Sequence, residues 1–171
     1  MNCPSRWSAL SWAFAVLTVA AGCAKAPPPA PPPQIPLTIT AAPEAKIKAP
    51  MTIAVSADVN PDSSGRPSPV VVRVYQLRTD AAFRSADFFA LFEDDQKALG
   101  PELISRDEFT MAPSERKTMD VTVSGETRFV GAIAAFRDIR NAQWRVLVPA
   151  TTKGLDVAVE RARVVMTVAA N

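Results

Sequence analysis

The chain has 171 residues, of which 48% are hydrophobic and 21% are charged, and its formal net charge is +2. It contains no histidine, which excludes a Ser–His–Asp triad, a Cys–His pair and any metal site built on histidine. A net charge this close to neutral gives no strong field for a nucleic acid or an acidic substrate, so we expect no nucleic-acid partner.

Residues 1–22 have the three parts of a secretory signal peptide. Arg6 supplies a positive charge, Ala9 to Ala21 form an apolar run, and Ala20, Ala21 and Gly22 are small residues at a cleavage site. The apolar run is shorter than the roughly 20 residues that cross a bilayer as a helix. We therefore predict that residues 1–22 are removed and that the mature protein begins at Cys23.

Small residues before Cys23 resemble the lipobox of bacterial lipoproteins, although Ala20 stands where that motif favours leucine. The resemblance implies a diacylglyceryl group on the thiol and a further acyl chain on the new amino terminus. This covalent lipid on Cys23 is the only cofactor that we expect, and two or more acyl chains hold a protein firmly on a membrane. The alternative is an ordinary secreted protein in which Cys23 is incidental. Because Cys3 lies in the removed segment, the mature domain has no pair of thiols and must fold without a disulfide.

Ala24 to Pro36 is rich in proline and alanine and carries one charge, at Lys25. Such a segment favours extended polyproline II, at about 3.1 Å per residue, and is expected to act as a spacer; a proline-rich ligand for an SH3-like domain is the alternative. The predicted organisation is a signal peptide at 1–22, an acylated cysteine and tether at 23–36, and one folded domain at 37–171.

Segments that alternate in polarity or are rich in β-branched residues predict strands after the tether. They are Leu37–Thr40, Thr52–Val59, Val70–Leu77, Leu103–Thr110, Arg116–Val123, Arg128–Phe136, Gln143–Val148 and Leu155–Ala169. In Thr52–Val59 the residues Ile53, Val55, Ala57 and Val59 are expected to share the buried face.

Residues at about 80–100 change to a helical period. Two short helices are predicted, Ala81–Ser85 and Asp87–Leu99, with Gly100 and Pro101 as the stop. The acidic run Glu93 to Asp95 lacks the spaced ligands and the glycine of a calcium loop, and we expect a solvated helix face there.

These elements predict an all-β fold, a two-sheet β-sandwich with a short helical insertion. Helices confined to one insertion argue against a doubly wound α/β fold. Between the second and third predicted strands lies a loop with the sequence NPDSSGRPSP, in which three prolines limit the backbone. Its residues are Asn60, Pro61, Asp62, Ser63, Ser64, Gly65, Arg66, Pro67, Ser68 and Pro69.

Four stretches together resemble the TssJ (SciN) family of outer-membrane lipoproteins of the type VI secretion system. They are NPDSSGRPSPVVVRVYQL, ADFFALFEDDQKALG, ISRDEFTMAPSE and FRDIRNAQWR, in that order along the chain. The resemblance implies a transthyretin-like sandwich and an anchor rather than an enzyme. It also implies a position in the outer membrane facing the periplasm, with the periplasmic C-terminal region of TssM as partner and TssL in the same complex.

In that family the loop between the first two strands of the sandwich is associated with the TssM contact, and here this loop is residues 60–69. Its prolines reduce the ordering entropy lost on binding, and Arg66 and Asp62 are candidates to set the register. The alternative is a stiff connection that only protects the sheet.

Two other functions are compatible with parts of the sequence. A periplasmic carrier of a small apolar ligand would need a hollow fold, whereas the alternation here predicts a filled one. A carboxylate-dependent hydrolase would need converging acids, but Asp107 and Glu108 are adjacent on a strand and point to opposite faces. An ion pair with Arg106 or another basic residue is the expected role of these acids. Trp144 is expected to pack at the sandwich edge, and Arg137 with Asp138 to fix a turn.

Overall fold

A computed structural model of the chain describes residues 46–169, which lie in one compact unit. The strands are β1 (Ile47–Val55), β2 (Val70–Leu77), β3 (Leu103–Met111), β4 (Arg116–Val123), β5 (Phe129–Ala134), β6 (Arg145–Pro149), β7 (Leu155–Val159) and β8 (Val164–Val168). The helices are α1 (Ala81–Ser85), α2 (Phe88–Glu93) and α3 (Asp95–Leu99), and a 3-10 turn at Gly100–Glu102 follows them.

The strands form two four-stranded sheets, which confirms the predicted sandwich with a helical insertion. The first sheet has the order β4-β1-β7-β8 and the second has the order β3-β2-β5-β6. All pairings are antiparallel except the central pair β1–β7, which is parallel. A bridge between Gln143 and Arg163 brings β6 and β8 together at one side. At the other side β3 and β4 are the edge strands, joined by a turn at residues 112–115.

The core between the sheets follows from the period of two along each strand. Met51 and Ile53 of the first sheet and Val70, Val72 and Val74 of the second are each at most 2% exposed. Burying one such side chain contributes about 1.5–3 kcal/mol. Val70, Val72 and Val74 share the inner face of β2, and this core is filled by side chains.

The outer face of the second sheet is covered by the helical insertion. Tyr75 and Leu77 point to this face and pack with Phe83, Leu91 and other residues of the helices. Gly131 on β5 makes room for α1, because a Cβ there would lie 2.7 Å from Cζ of Phe83.

Two arginines of the second sheet hold the short helices by their free carbonyl groups. Arg73 donates from Nη1 to the carbonyl oxygens of Leu91 and Phe92, at 3.2 and 2.7 Å. Arg145 donates to the carbonyl oxygens of Phe83 and Ala86, at 2.8 and 2.9 Å. Helices of five or six residues are not stable alone, so these contacts and the packing beneath them fix the insertion.

The first described strand differs from its predicted bounds. Thr52–Val59 was expected, but β1 runs from Ile47 to Val55 and the chain then turns at Ser56. Ala57 is exposed rather than buried, and Val59 reaches the core from the turn. The predicted strand Leu37–Thr40 lies outside the described residues.

The predicted helix Asp87–Leu99 is two helices separated at Asp94. The backbone of Asp94 leaves the helical region (φ −146°, ψ 72°), and its carboxylate accepts from the amide of Lys97 at 3.1 Å, so it caps α3. The expectation of a solvated acidic run was wrong for Asp95, which is 5% exposed and accepts from Nη1 of Arg106 at 2.8 Å.

The predicted strand Leu155–Ala169 is a hairpin of β7 and β8. The amide of Glu160 donates to the carbonyl of Arg163 at 2.8 Å and their side chains pair at 2.5 Å, which closes the turn. Arg161 and Arg163 therefore lie in the connection between β7 and β8.

Candidate functional site

The loop at residues 60–69 connects β1 of the first sheet to β2 of the second, so it crosses between the sheets and is not a hairpin. The chain enters the described region at Lys46 and Ile47, at the other end of β1. Nine extended residues span about 30 Å. The loop therefore lies at the end of the sandwich opposite to the point where the described chain begins. We call these two ends the loop end and the entry end.

Asp62 gives the tip of the loop a fixed shape. Its Oδ1 accepts from the amides of Ser64 and Arg66, at 2.8 and 3.0 Å, and its Oδ2 accepts from Nε of Arg66 at 2.9 Å. The amide of Asp62 also donates to the carbonyl of Arg66 at 2.8 Å. Gly65 has φ +78°, a conformation that glycine adopts without strain.

These hydrogen bonds also control the protonation of the loop. The amide of Arg66, followed by its guanidinium and the amide of Ser64, lowers the pKa of Asp62 below its ordinary value of 3.8 against a smaller opposing effect of burial. The carboxylate is therefore charged at neutral and mildly acidic pH, and the bonds of the tip persist there.

Asn60 joins the base of the loop to the rest of the sandwich. It is 4% exposed, its Nδ2 donates to the carbonyl of Pro69 at 2.7 Å, and its Oδ1 accepts from the amide of Arg137 at 2.8 Å. Its own amide donates to the carbonyl of Arg161 at 3.0 Å, and its carbonyl accepts from the hydroxyl of Ser68. Asn60 has φ +47°, which asparagine tolerates better than most residues.

The structure thus divides the ten predicted contact residues into two groups. Asn60 is buried, and Pro61, Asp62 and Ser68 are half-buried, so these four position the loop. The exposed residues are Ser63, Ser64, Gly65, Arg66, Pro67 and Pro69. Arg66 and Asp62, expected to set the register with a partner, bond to each other, and the side chain of Arg66 is still 79% exposed.

Sequence reasoning missed the segments that surround this loop. The β5–β6 connection contributes Arg137, whose Nε donates to the hydroxyl of Ser68 at 3.0 Å. Asp138 accepts from Nδ2 of Asn141 and so fixes the next turn, as predicted. The contact between Asn60 and Arg137 joins residues that are far apart in the sequence, and no local spacing indicates it.

The predictions for the other polar residues hold in part. Glu108 pairs with Nε of Arg73 at 2.5 Å, so its partner is another basic residue and not Arg106, which pairs with Asp95. Trp144 is half-buried and contacts the ring of Phe88 with centroids 5.4 Å apart, so it packs between the sandwich and α2. Arg73 also lies 3.9 Å from Oδ2 of Asp95, so Asp95 and Glu108 share one guanidinium that neutralises them.

One cavity of the described domain has mainly polar walls. It has a volume of about 640 Å³, lies between α3 and β3, and is lined by Asp95, Gln96, Gly100, Leu103, Ile104, Ser105 and Arg106. The filled core and this polar cavity do not favour the apolar-ligand carrier. Among residues 46–169 no three His, Cys, Asp or Glu side chains are grouped as a metal site, and no helix there is long and apolar enough to cross a membrane. Cys23 lies outside the described residues.

The fold and this surface define a two-sheet β-sandwich with a helical insertion and a preformed loop at one end. A family model described as "Type VI secretion lipoprotein, VasD, EvfM, TssJ, VC_A0113" matches residues 48–170. The chain belongs to this family, as the four stretches in the sequence predicted. No curated protein is similar enough in sequence to count as a match.

Solved structures of related proteins have the same fold. The type VI secretion lipoprotein TssJ1 from Pseudomonas aeruginosa is 28% identical, with a TM-score of 0.70, and the match covers 74% of this chain and 99% of that one. Lip from Serratia marcescens, described as a membrane-bound component of the type VI secretion system, is 22% identical, with a TM-score of 0.67 and coverage of 74% and 100%. A chain in a structure described as the TssM C-terminal domain from EAEC is 24% identical, with a TM-score of 0.61 and coverage of 72% and 98%.

Proposed function

We propose that this protein is an outer-membrane lipoprotein, held by acyl chains on Cys23, that anchors a type VI secretion membrane complex. Its sandwich faces the periplasm and binds the periplasmic C-terminal region of TssM, with TssL in the same complex. The role is mechanical and not catalytic. Membership of a family of type VI secretion lipoproteins supports the anchor and the assembly.

The observation that carries the proposal is the preformed loop at the end of the sandwich opposite to Lys46. The exposed residues of the loop are held by Asp62 and Asn60 before any partner arrives. Because these residues are already ordered, the loop loses little conformational entropy when a partner binds it, which favours affinity.

The structure also indicates which variants test this contact. Deleting residues 60–69 would remove the bonds of Asn60 and Ser68 and would destabilise the fold, so a loss of binding could not be assigned to the contact. Ser64 is exposed, and no hydrogen bond of its side chain is present in the described part of the chain. Ser64→Arg therefore places a long charged group on the tip without breaking its frame.

The experiment is a calorimetric titration of the mature Cys23→Ala protein against the periplasmic C-terminal region of the TssM protein from the same secretion system. We expect saturable binding that Ser64→Arg weakens at least tenfold, or about 1.4 kcal/mol. Thr167→Arg makes the same change of charge on an exposed position of β8 and is the matched control, expected to bind normally. Equal weakening by both variants, or none by either, would exclude the loop as the contact.

A further inference from the structure

The entry end of the sandwich carries an excess of positive charge. It consists of residues 46–48, the connection from β2 to α1 at residues 78–80, Glu102 at the end of the 3-10 turn, and the turns at residues 124–128 and 150–154. Its basic side chains are Lys46, Lys48, Arg78, Arg128 and Lys153, and its acidic side chains are Asp80, Glu102 and Glu126. The charge of the whole protein is nearly neutral, so this end differs from the average surface.

All three acids of the entry end already have partners. Asp80 pairs with Arg84 of α1 at 2.6 Å. Glu126 pairs with Arg78, which also donates from Nη1 to the carbonyl of Pro101 at 2.9 Å. The carboxylate of Glu102 accepts from the amide of Ala82 at 3.0 Å at the start of α1.

The remaining cations of this end are exposed. Lys46, Lys48, Arg128 and Lys153 have no ion pair within the described residues. Glu44, two residues before the described region, is one further acid nearby in sequence. The entry end therefore presents uncompensated ammonium and guanidinium groups to its surroundings.

The loop end has a different charge pattern. Its connections, residues 56–69, 112–115, 135–144 and 160–163, contain five arginines and five acids. Three of these acids form pairs within the same end: Asp58 with Arg161, Asp62 with Arg66, and Glu160 with Arg163. Positive charge is thus concentrated at the end where the chain arrives from Cys23.

We infer that the entry end lies against anionic phospholipid headgroups of the membrane that holds the anchor. The inference rests on the proposed lipid at Cys23, which keeps this end within reach of the surface. Twenty-two residues separate Cys23 from Lys46, and a chain of this length allows the domain to adopt many orientations relative to the membrane. A second attraction is therefore needed to favour one orientation. Within a Debye length each lysine or arginine near an anionic surface raises partition about fivefold. Since the anchor already confines the domain, this modest factor is sufficient to orient it.

The surface fits a membrane better than a small anion. Its basic groups are exposed and spread over two turns and the start of β1, and the buried hydroxyl of Thr127 donates to Oε1 of Gln76 and not toward this surface. Such a distribution matches a broad charged plane. The loop end then faces away from the membrane, toward the partner in the proposed function.

The first test uses vesicle flotation of the mature Cys23→Ala protein, so that acylation plays no part. At low salt we expect the protein to partition into vesicles that contain phosphatidylglycerol and not into vesicles of phosphatidylcholine alone. The variant Lys48→Gln/Arg128→Gln/Lys153→Gln should lower the partition into phosphatidylglycerol vesicles about a hundredfold. The control Lys97→Gln/Arg116→Gln/Arg140→Gln removes the same charge at exposed positions elsewhere and should keep most of the binding. An equal loss in both variants would show a general charge effect and overturn the inference.

The second test uses the acylated protein in phosphatidylglycerol vesicles with a fluorophore on Gly125→Cys or Ser64→Cys, since Cys23 is the only other cysteine of the mature chain. Headgroup-bound quenchers should quench the probe at position 125 strongly and the probe at position 64 weakly, and high salt should remove the difference. Equal quenching would overturn the inference. Neither test involves TssM, and flotation does not depend on acylation, so failure of the proposed function would be recognised separately.

Discussion

Replacing Asn60 with alanine removes the side chain that fastens the candidate loop to the sandwich. Two hydrogen bonds are lost, from Nδ2 to the carbonyl of Pro69 and from the amide of Arg137 to Oδ1. Each contributes about 1 kcal/mol, and alanine at a positive φ costs a further 1 kcal/mol or so. We therefore expect Asn60→Ala to lower the free energy of unfolding by about 3 kcal/mol.

Asn60→Gly is the matched variant, because glycine loses the same two bonds but accepts φ +47°. It should cost about 2 kcal/mol, and the difference between the variants measures the backbone strain. Urea unfolding followed by circular dichroism gives both values, provided that the dependence on urea is unchanged. Both variants should also bind the TssM region more weakly, because the loop is less ordered before binding. A loss below about 0.5 kcal/mol for alanine would refute the role given to Asn60.

Three further predictions concern the insertion, the sole tyrosine and the anchor. Gly131→Ala brings a Cβ to 2.7 Å from the ring of Phe83 and should lower the free energy of unfolding by about 1–3 kcal/mol through overpacking. The double variant Gly131→Ala/Phe83→Leu should recover part of this loss. The same loss of stability in the double variant would contradict this geometry. Burial raises the pKa of Tyr75 to about 12, so the contribution of the neutral tyrosine to the free energy of unfolding is present below pH 10 and is lost as the pH rises from 10 through 12. Phenolate absorbance of this single tyrosine should show the raised pKa. Titration at the ordinary value would contradict the burial. Cys23→Ala should release the protein into the soluble fraction of the cell envelope, and continued membrane retention in fractionation would contradict the proposed anchor.

The strands with clean alternation and turn residues at both ends were predictable from the sequence. β2 and β4 have their predicted bounds, because Pro69 and the turn at residues 112–115 mark their starts. The bounds of β1 were predicted too late in the chain, and a proline such as Pro50 is unusual in a central strand. The parallel partner β7 begins opposite Met51, however, so Pro50 lies just outside that ladder and its missing N–H is not needed there.

The parts of the site that could not be predicted depend on contacts between distant segments. Nothing near Asp95 in the sequence indicates that Arg106 and Arg73 will neutralise it, and these two ion pairs allow the acid to be buried. The loop itself was predicted from its prolines, glycine and serines, and its contact with a partner stays a prediction. The buried role of Asn60 depends on Arg137 and Arg161, which only the folded sandwich brings close.

The parallel pairing of β1 with β7 has a consequence for how the protein folds. Met51 pairs with Leu155, about a hundred residues later in the chain, so the centre of the first sheet cannot form until nearly the whole domain is available. Such non-local pairing makes folding slow, because a long loop must close before any contact rewards it. One edge of β1 can pair with β4 once residue 123 is present, but its other edge stays unpaired until β7 follows, so the first sheet is completed only at the end of the chain's folding.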